Sequence, residues 1–252
     1  MTSINTGTAG WSIPKQSAAD LPSVGTHLER YSQVFRCAEI NSSFYRPHRI
    51  STWAKWAASV PGGFRFSVKA PKAITHEARL ACTREQLQAF LDQASILAEK
   101  LGPILFQLPP KFAFEPVAAE AFLTLLRDLH PGPVVFEPRH ATWFSSTAND
   151  LLQRFRIARA AADPTAIEAA TAPGGWTGLV YYRLHGSPRV YYSPYSEEYL
   201  TTLAASIRAQ QVAAAETAAE TEVWCIFDNT ASGAALGNAH RLQQLTSSKP
   251  AR

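Results

Sequence analysis

The feature that most constrains the fold is a regular alternation of short apolar runs with longer helical runs along the chain. Several of the short runs are continuously apolar, as expected for parallel strands that are covered on both faces. Eight strands are predicted, at residues 3–8, 37–42, 64–69, 104–108, 134–137, 157–162, 179–184 and 223–227. Eight strand-then-helix units with right-handed crossovers close naturally into a barrel.

In the segments between these strands, apolar residues recur with the spacing of a helix, with one exception. Residues 165–178 contain a Pro-Gly-Gly sequence, which predicts a stunted or missing helix between strands six and seven. An open doubly wound sheet is the competing fold, but no GxGxxG motif follows the first strand. We therefore expect an α/β fold, a single parallel (β/α)8 TIM-type barrel, forming one domain over residues 1–252.

Composition narrows the class of protein. With 46% hydrophobic and 17% charged residues, the chain is typical of an ordinary globular protein. The formal net charge of +4 is too small an excess to predict nucleic-acid binding by itself. Residues 1–11 lack the pattern of a secretion signal, and no apolar run is long enough to span a membrane. The sequence predicts a cytoplasmic protein without a membrane segment and does not determine its oligomeric state.

Polar residues collect after the carboxyl ends of the predicted strands, where barrels of this type build their sites. The opposite strand ends carry mostly Pro, Gly and ordinary surface residues. The strand-end side chains are Glu39, Asn41, Tyr45, Lys69, His76, Gln107, Glu137, Arg139, His140, Asp163, Arg183, His185, Asp228 and Asn229. This asymmetry predicts one polar pocket at the carboxyl-terminal mouth of the barrel.

Several long motifs lie at or next to the predicted strand ends: GTAGW at residues 7–11, EINSSFY at 39–45, FRFSVKAP at 64–71, LFQLPP at 105–110, FEPRH at 136–140 and YRLHG at 182–186. These motifs resemble those of the DUF72, or YecE-like, family. The resemblance covers essentially the whole chain. The resemblance implies a TIM-type barrel but does not imply a particular reaction.

Clustered cations at the mouth predict binding of an anion, because arginine binds phosphate or carboxylate through two hydrogen bonds. The same cations could instead pair with neighbouring carboxylates in a polar plug across the mouth. The predicted substrate contacts, for a small anionic substrate or for phosphate or sulfate, are Asn41, Tyr45, Lys69, Gln107, Arg139, His140, Arg183 and Asn229.

Glu39 and Glu137 are the candidates for proton exchange, since a carboxylate in such a site can have its pKa moved toward neutrality. His76 or His185 would assist. The alternative is that either glutamate only orients Arg183 or Lys69. The sequence thus predicts an enzyme, a hydrolase or an isomerase, that needs no cofactor.

Two other functions remain open from the sequence. One is a metal-dependent phosphoesterase or nuclease, with a divalent ion on Glu137, Asp163, His185 and Asp228. Cations on the same face disfavour it, because they would repel the metal ion. The other is a non-catalytic binder of an anionic metabolite, or less strongly of nucleic acid.

Overall fold

The computed structural model describes residues 4–216 and 221–247. Within them, ten strands form one sheet that curves into a nearly closed barrel. The strands are β1 (Ile4–Ala9), β2 (Cys37–Ile40), β3 (Arg65–Lys69), β4 (Leu101–Gln107), β5 (Val134–Glu137), β6 (Ile157–Arg159), β7 (Ala161–Asp163), β8 (Gly174–Gly175), β9 (Leu179–Leu184) and β10 (Glu222–Phe227). Their order is β7-β9-β10-β1-β2-β3-β4-β5-β6-β8, and every pairing except β6 with β8 is parallel. The predicted mixed α/β, mostly parallel barrel-like architecture is confirmed.

Helices surround the sheet and bury their apolar faces against its outer side. Those in the described ranges are α1 (His27–Ser32), α2 (Ile50–Ala58), α3 (Arg84–Ser95), α4 (Pro116–Leu129), α5 (Ser146–Arg154), α6 (Glu197–Glu216) and α7 (Ala234–Ser247). Helix α3 begins with a capping box. The Thr83 hydroxyl accepts from the Gln86 N–H, and the Gln86 side chain accepts from the Thr83 N–H. None of these helices is long and apolar enough to cross a membrane.

The predicted sixth strand is broken, so the expected count of eight strands is not reproduced. Strand β6 pairs with β5, whereas β7, one residue further on, pairs with β9. Between β7 and β9 the structure has no α-helix, only a three-residue turn at Glu168–Ala170 and the short β8. The space beside α6 is a cavity of about 310 Å³ that Asp163, Tyr182 and Leu184 help to line.

Side chains alternate between the two faces of each barrel strand, and this alternation positions the site. The inward-facing apolar cluster consists of Cys37, Leu105, Val135, Ala158, Ala160, Leu179, Tyr181, Trp224 and Ile226. Two residues further along most of these strands, the inward position is polar: Glu39, Gln107, Glu137, Arg183 and Asp228. A polar layer at the carboxyl ends therefore rests on an apolar floor.

The contact between β1 and β2 leaves no room for a side chain at Gly7. A Cβ there would lie 2.1 Å from the carbonyl oxygen of Cys37 and 2.9 Å from its sulfur. We expect Gly7→Ala to lower the free energy of unfolding by about 2–3 kcal/mol, because paired backbones cannot separate without loss of hydrogen bonds. Urea denaturation measures this. Gly62→Ala, where a Cβ meets nothing within 4 Å, is the matched control, and equal midpoints for the two variants would contradict the prediction.

Candidate functional site

Arg183, at the end of β9, lies at the centre of the polar layer and is only 1% exposed. Its Nη2 donates to Glu39 Oε1 at 2.8 Å and lies 2.9 Å from Asp228 Oδ2. Its Nη1 donates to Glu137 Oε2 at 3.1 Å. Burial alone would lower the pKa of Arg183, but the three carboxylates raise it well above its usual range. One fixed cation therefore binds three carboxylates from different strands.

His185 and Arg139 extend this arrangement. His185 places Nδ1 3.1 Å from Asp228 Oδ2 and Nε2 3.2 Å from Glu137 Oε1. Arg139 donates to the same Glu137 oxygen through Nη2 at 2.7 Å and Nε at 3.0 Å. We call the whole group the ion cluster; its members are Glu39, Glu137, Arg139, Arg183, His185 and Asp228.

Glu137 does not have the pKa that the sequence led us to expect. Burial would raise the pKa of this carboxyl, but Arg183, Arg139 and His185 together hold it well below its usual range. The expected shift toward neutrality is therefore wrong for Glu137. The reason is that several basic groups lie within hydrogen-bond distance and outweigh the loss of solvation.

Two residues beneath the ion cluster were missed in the sequence. The Tyr181 hydroxyl lies 3.1 Å from Glu39 Oε2 and 2.9 Å from Ser67 Oγ, and burial raises the pKa of Tyr181 well above its usual range. Tyr181 precedes Arg183 by two positions, and Ser67 precedes Lys69 by two. The two-residue period of a strand places them on the same face, so this signal was available.

A second group of polar side chains lies at the adjacent ends of β2, β3 and β4. Lys69 is 6% exposed, and its Nζ lies 4.2 Å from the centroid of the Phe44 ring. Within the described part of the chain, that ammonium forms no hydrogen bond or ion pair, and neither does the amide of Gln107. Asn41 Oδ1 is also buried without a hydrogen-bond partner. We call Asn41, Lys69 and Gln107 the open edge.

The environment of Lys69 makes its charged form costly. Burial lowers the pKa of the amine to about 8, and the positive charge of Arg183 contributes to the lowering. Glu39, Glu137 and Asp228 oppose the shift, but they already bind Arg183. A lysine with this pKa exchanges its proton near neutral pH.

His76 faces the same region from a turn after β3 (Ala73–Glu77). Its ring lies 5.0 Å from the ring of Phe44, which therefore contacts both His76 and Lys69. Burial lowers the pKa of His76, and the charges of Lys69 and Arg139 lower it further. Three basic side chains, Lys69, His76 and Arg139, thus lie near one another at the mouth of the barrel.

Three of the predicted substrate contacts have other surroundings. Tyr45 is 70% exposed and packs against Phe44. His140 accepts from the Thr142 N–H and caps the turn after β5. Asn229 is buried and donates to Ser193 and to Asn238, which fixes the chain between β10 and α7.

The alternative metal ligands do not come together as a set. Glu137, His185 and Asp228 are neighbours, but the Arg183 guanidinium binds two of them. Asp163 instead lines the outer cavity beside α6. Over residues 4–216 and 221–247, no group of three or more His, Cys, Asp or Glu residues is arranged to hold a metal ion.

Similar sequences are found in bacteria. A family model described as "Protein of unknown function DUF72" matches residues 5–252. The UPF0759 protein YecE of Escherichia coli K12 is 29% identical over 171 residues, which cover 65% of this chain and 60% of YecE. The UPF0759 protein YunF of Bacillus subtilis 168 is 27% identical over 124 residues, covering 47% and 44%. The chain therefore matches less than two thirds of the length of these relatives.

Solved structures show the same fold. A DUF72 family protein from Enterococcus faecalis superposes with a TM-score of 0.80 at 21% identity, covering 98% of this chain and 96% of that one. A DUF72 family protein from Thermotoga maritima superposes with a TM-score of 0.76 at 24% identity, covering 97% and 99%. With a family model that matches nearly every residue and this shared fold, the chain belongs to the DUF72 family.

Proposed function

We propose that this protein is an enzyme that binds a small phosphorylated or carboxylated substrate at the barrel mouth and transfers a proton there. The observation that carries the proposal is the open edge. Asn41 Oδ1 is buried without a hydrogen-bond partner. The largely buried Lys69 and Gln107 lie at neighbouring strand ends, and their side chains form no hydrogen bond with another described residue. Buried polar groups without partners are costly, and a substrate that bonds to them would remove that cost.

Arg139 supplies the contact for the anionic group of the substrate. Its Nε and Nη2 donate to Glu137, and its side chain is 30% exposed. A guanidinium has five donors in a flat fork, so one edge can hold Glu137 while Nη1 binds a carboxylate or phosphate. The positive charge of Lys69 adds to the attraction.

Proton exchange in this proposal belongs to Lys69, with His76 beside it. General acid–base catalysis is most effective when the pKa of the group lies near the working pH, and the pKa of Lys69 is about 8. Glu137 stays ionised, so we assign Glu39 and Glu137 to holding Arg183 and Arg139 in place. A perturbed pKa beside unpartnered polar groups favours an enzyme over a passive binder.

The test measures binding of orthophosphate, glycerol 3-phosphate and lactate by isothermal titration calorimetry. Arg139→Gln should weaken binding roughly 10- to 100-fold, because a charge-assisted hydrogen bond contributes about 1.5–3 kcal/mol. Arg84→Gln removes an exposed arginine that pairs with Asp128, and it should leave binding unchanged. Absence of binding by all three anions, or equal binding by both variants, would overturn the proposal.

Anion affinity should also depend on pH in a defined direction. Lys69 is positively charged below its pKa of about 8 and neutral above it, so orthophosphate binding should weaken as the pH rises through this value. In Lys69→Met the decline between about pH 7.5 and 9 should disappear. Lactate, whose carboxylate is fully ionised throughout this interval, should show the same difference between the two proteins. Calorimetry across the interval measures the effect. A decline of the same size in both proteins would assign it to another group.

A further inference from the structure

We propose that Lys69 is a nucleophile whose amine forms an imine with the carbonyl carbon of a small anionic aldehyde or ketone. The substrate class is that of 2-oxo acids and phosphorylated ketones. This inference rests on the proposed function, because the same mouth must hold the anionic end of the substrate. It adds a covalent bond to Lys69 and a carbonyl group to the substrate.

The surroundings of the Lys69 amine favour its neutral form. An ammonium has three hydrogen-bond donors, yet no described residue accepts from Nζ, which lies 4.2 Å from the centroid of the Phe44 ring. Other lysines differ: Lys72 forms an exposed ion pair with Glu77, and Lys100 donates to the carbonyl oxygen of Val60 at 2.9 Å. A desolvated amine without acceptors keeps its lone pair available for attack.

The acidity of the amine agrees with this geometry. Burial and Arg183 bring the pKa of Lys69 to about 8. At about pH 7.5, such an amine is neutral on the order of 100 times more often than an ordinary lysine. The neutral fraction sets the rate at which an amine attacks a carbonyl.

The atoms and charges of the step balance within the site. The C–Nζ bond forms and the carbonyl C–O bond breaks. The oxygen leaves as water with two of the three protons of the original ammonium, and the third stays on the protonated imine. Neutral His76, which contacts the same Phe44 ring, can carry a proton from nitrogen to oxygen. The positive charge remains near Glu39, Glu137 and Asp228, the carboxylates that favour the charged form of Lys69.

The imine also changes the site of proton transfer to the carbon next to it. Because Nζ is then bonded to the substrate, His76, which contacts the same Phe44 ring, accepts the proton from that carbon in place of Lys69. A protonated imine draws electrons from the neighbouring carbon, so a C–H bond there becomes more acidic than in the free carbonyl compound. The anionic end of the substrate, held by Arg139, fixes which carbon faces Lys69. Isomerisation is then favoured over hydrolysis.

The experiment traps the imine by reduction. The full chain is incubated separately with pyruvate, glyoxylate and dihydroxyacetone phosphate, reduced with sodium borohydride, digested and analysed by mass spectrometry. We expect a reduced adduct on the peptide that contains Lys69, formed on the order of 100 times faster than at Lys72. Lys69→Met should abolish this adduct, and Lys72→Met should leave it unchanged.

The outcomes separate this inference from the proposed function. If lactate and glycerol 3-phosphate bind in an Arg139-dependent manner but no carbonyl probe adds to Lys69, the nucleophile is wrong and anion recognition stands. If Lys69 is labelled but these anions do not bind, anion recognition by Arg139 is wrong and the nucleophile stands. Labelling of Lys69 and Lys72 at equal rates, or of neither, overturns the imine.

Discussion

Arg183→Met is expected to destabilise the protein by about 3–5 kcal/mol, or enough to prevent folding. The substitution keeps much of the side-chain volume but removes the one cation that binds Glu39, Glu137 and Asp228 together. Three carboxylates would then be buried near one another with less compensation. Urea denaturation at neutral pH measures the loss.

The matched control is an arginine with a similar partner at the surface. Arg241 binds Glu197 through Nε at 2.9 Å, and both side chains are exposed. Arg241→Met should therefore cost less than about 1 kcal/mol, as exposed ion pairs do. If Arg183→Met does not fold, Arg183→Lys keeps the charge without the fork and should give a measurable, smaller loss. Wild-type stability in Arg183→Met would contradict the role of the ion cluster.

Acid should reduce the difference in stability between wild type and Arg183→Met. In the folded wild type the pKa values of Glu137 and Asp228 are lowered. These carboxylates therefore stabilise the fold above their unfolded-state pKa values, which are near 4, and this stabilisation is lost as the pH falls through their folded-state pKa values. In Arg183→Met the three carboxylates repel one another, and protonation removes that repulsion. The difference in free energy of unfolding between the two proteins should shrink as the pH falls below about 4.

Much of the fold could be predicted because each strand has a local signature. Apolar runs such as residues 134–137 are bounded by Pro, Gly or polar residues, and helices such as α3 begin with capping side chains. The break at Ala160 has no such signature. Ala160 N–H donates to Phe136 of β5, whereas the next residue starts the pairing with β9. Which neighbour a strand selects depends on how the barrel closes, and this is not encoded in a single run.

The site shows the same division between local and tertiary information. Strand-end position correctly grouped Glu39, Glu137, Arg183 and His185, because parallel strands end at one edge of the barrel. Strand-end position could not show that Arg183 binds the carboxylates. Nor could it show that Lys69, four strands away in the sheet order, forms no ion pair with a described residue. Asn229 lies just past a strand end, where loop and helix contacts use its donors.

Lys69→Met should have the opposite effect to Arg183→Met and stabilise the fold at neutral pH. The difference between the ordinary pKa of 10.5 and the value of about 8 in the protein corresponds to a cost of roughly 3 kcal/mol for the protonated amine. Methionine fills a similar volume without a charge. We expect a gain of roughly 2–3 kcal/mol, seen as a rise in Tm of several degrees.

The pH dependence identifies the source of the gain. The folded pKa lies below the unfolded one, so under about pH 8 both states are protonated and the wild type bears the full cost. Between about pH 8 and 10.5 only the unfolded state holds the proton, and wild-type stability rises through this interval. The advantage of Lys69→Met should therefore be largest near neutrality and fall toward zero by about pH 10.5.

The control for this gain is Lys72→Met, which removes an exposed lysine paired with Glu77 and should change stability by less than about 0.5 kcal/mol. Urea denaturation of both variants and the wild type from pH 7 to about 10.5 measures the comparison. A loss of stability in Lys69→Met would show that the amine has a stabilising partner. A gain that falls with pH would show that the fold bears the cost of a buried, unpaired amine, as expected where a side chain is retained for binding or catalysis.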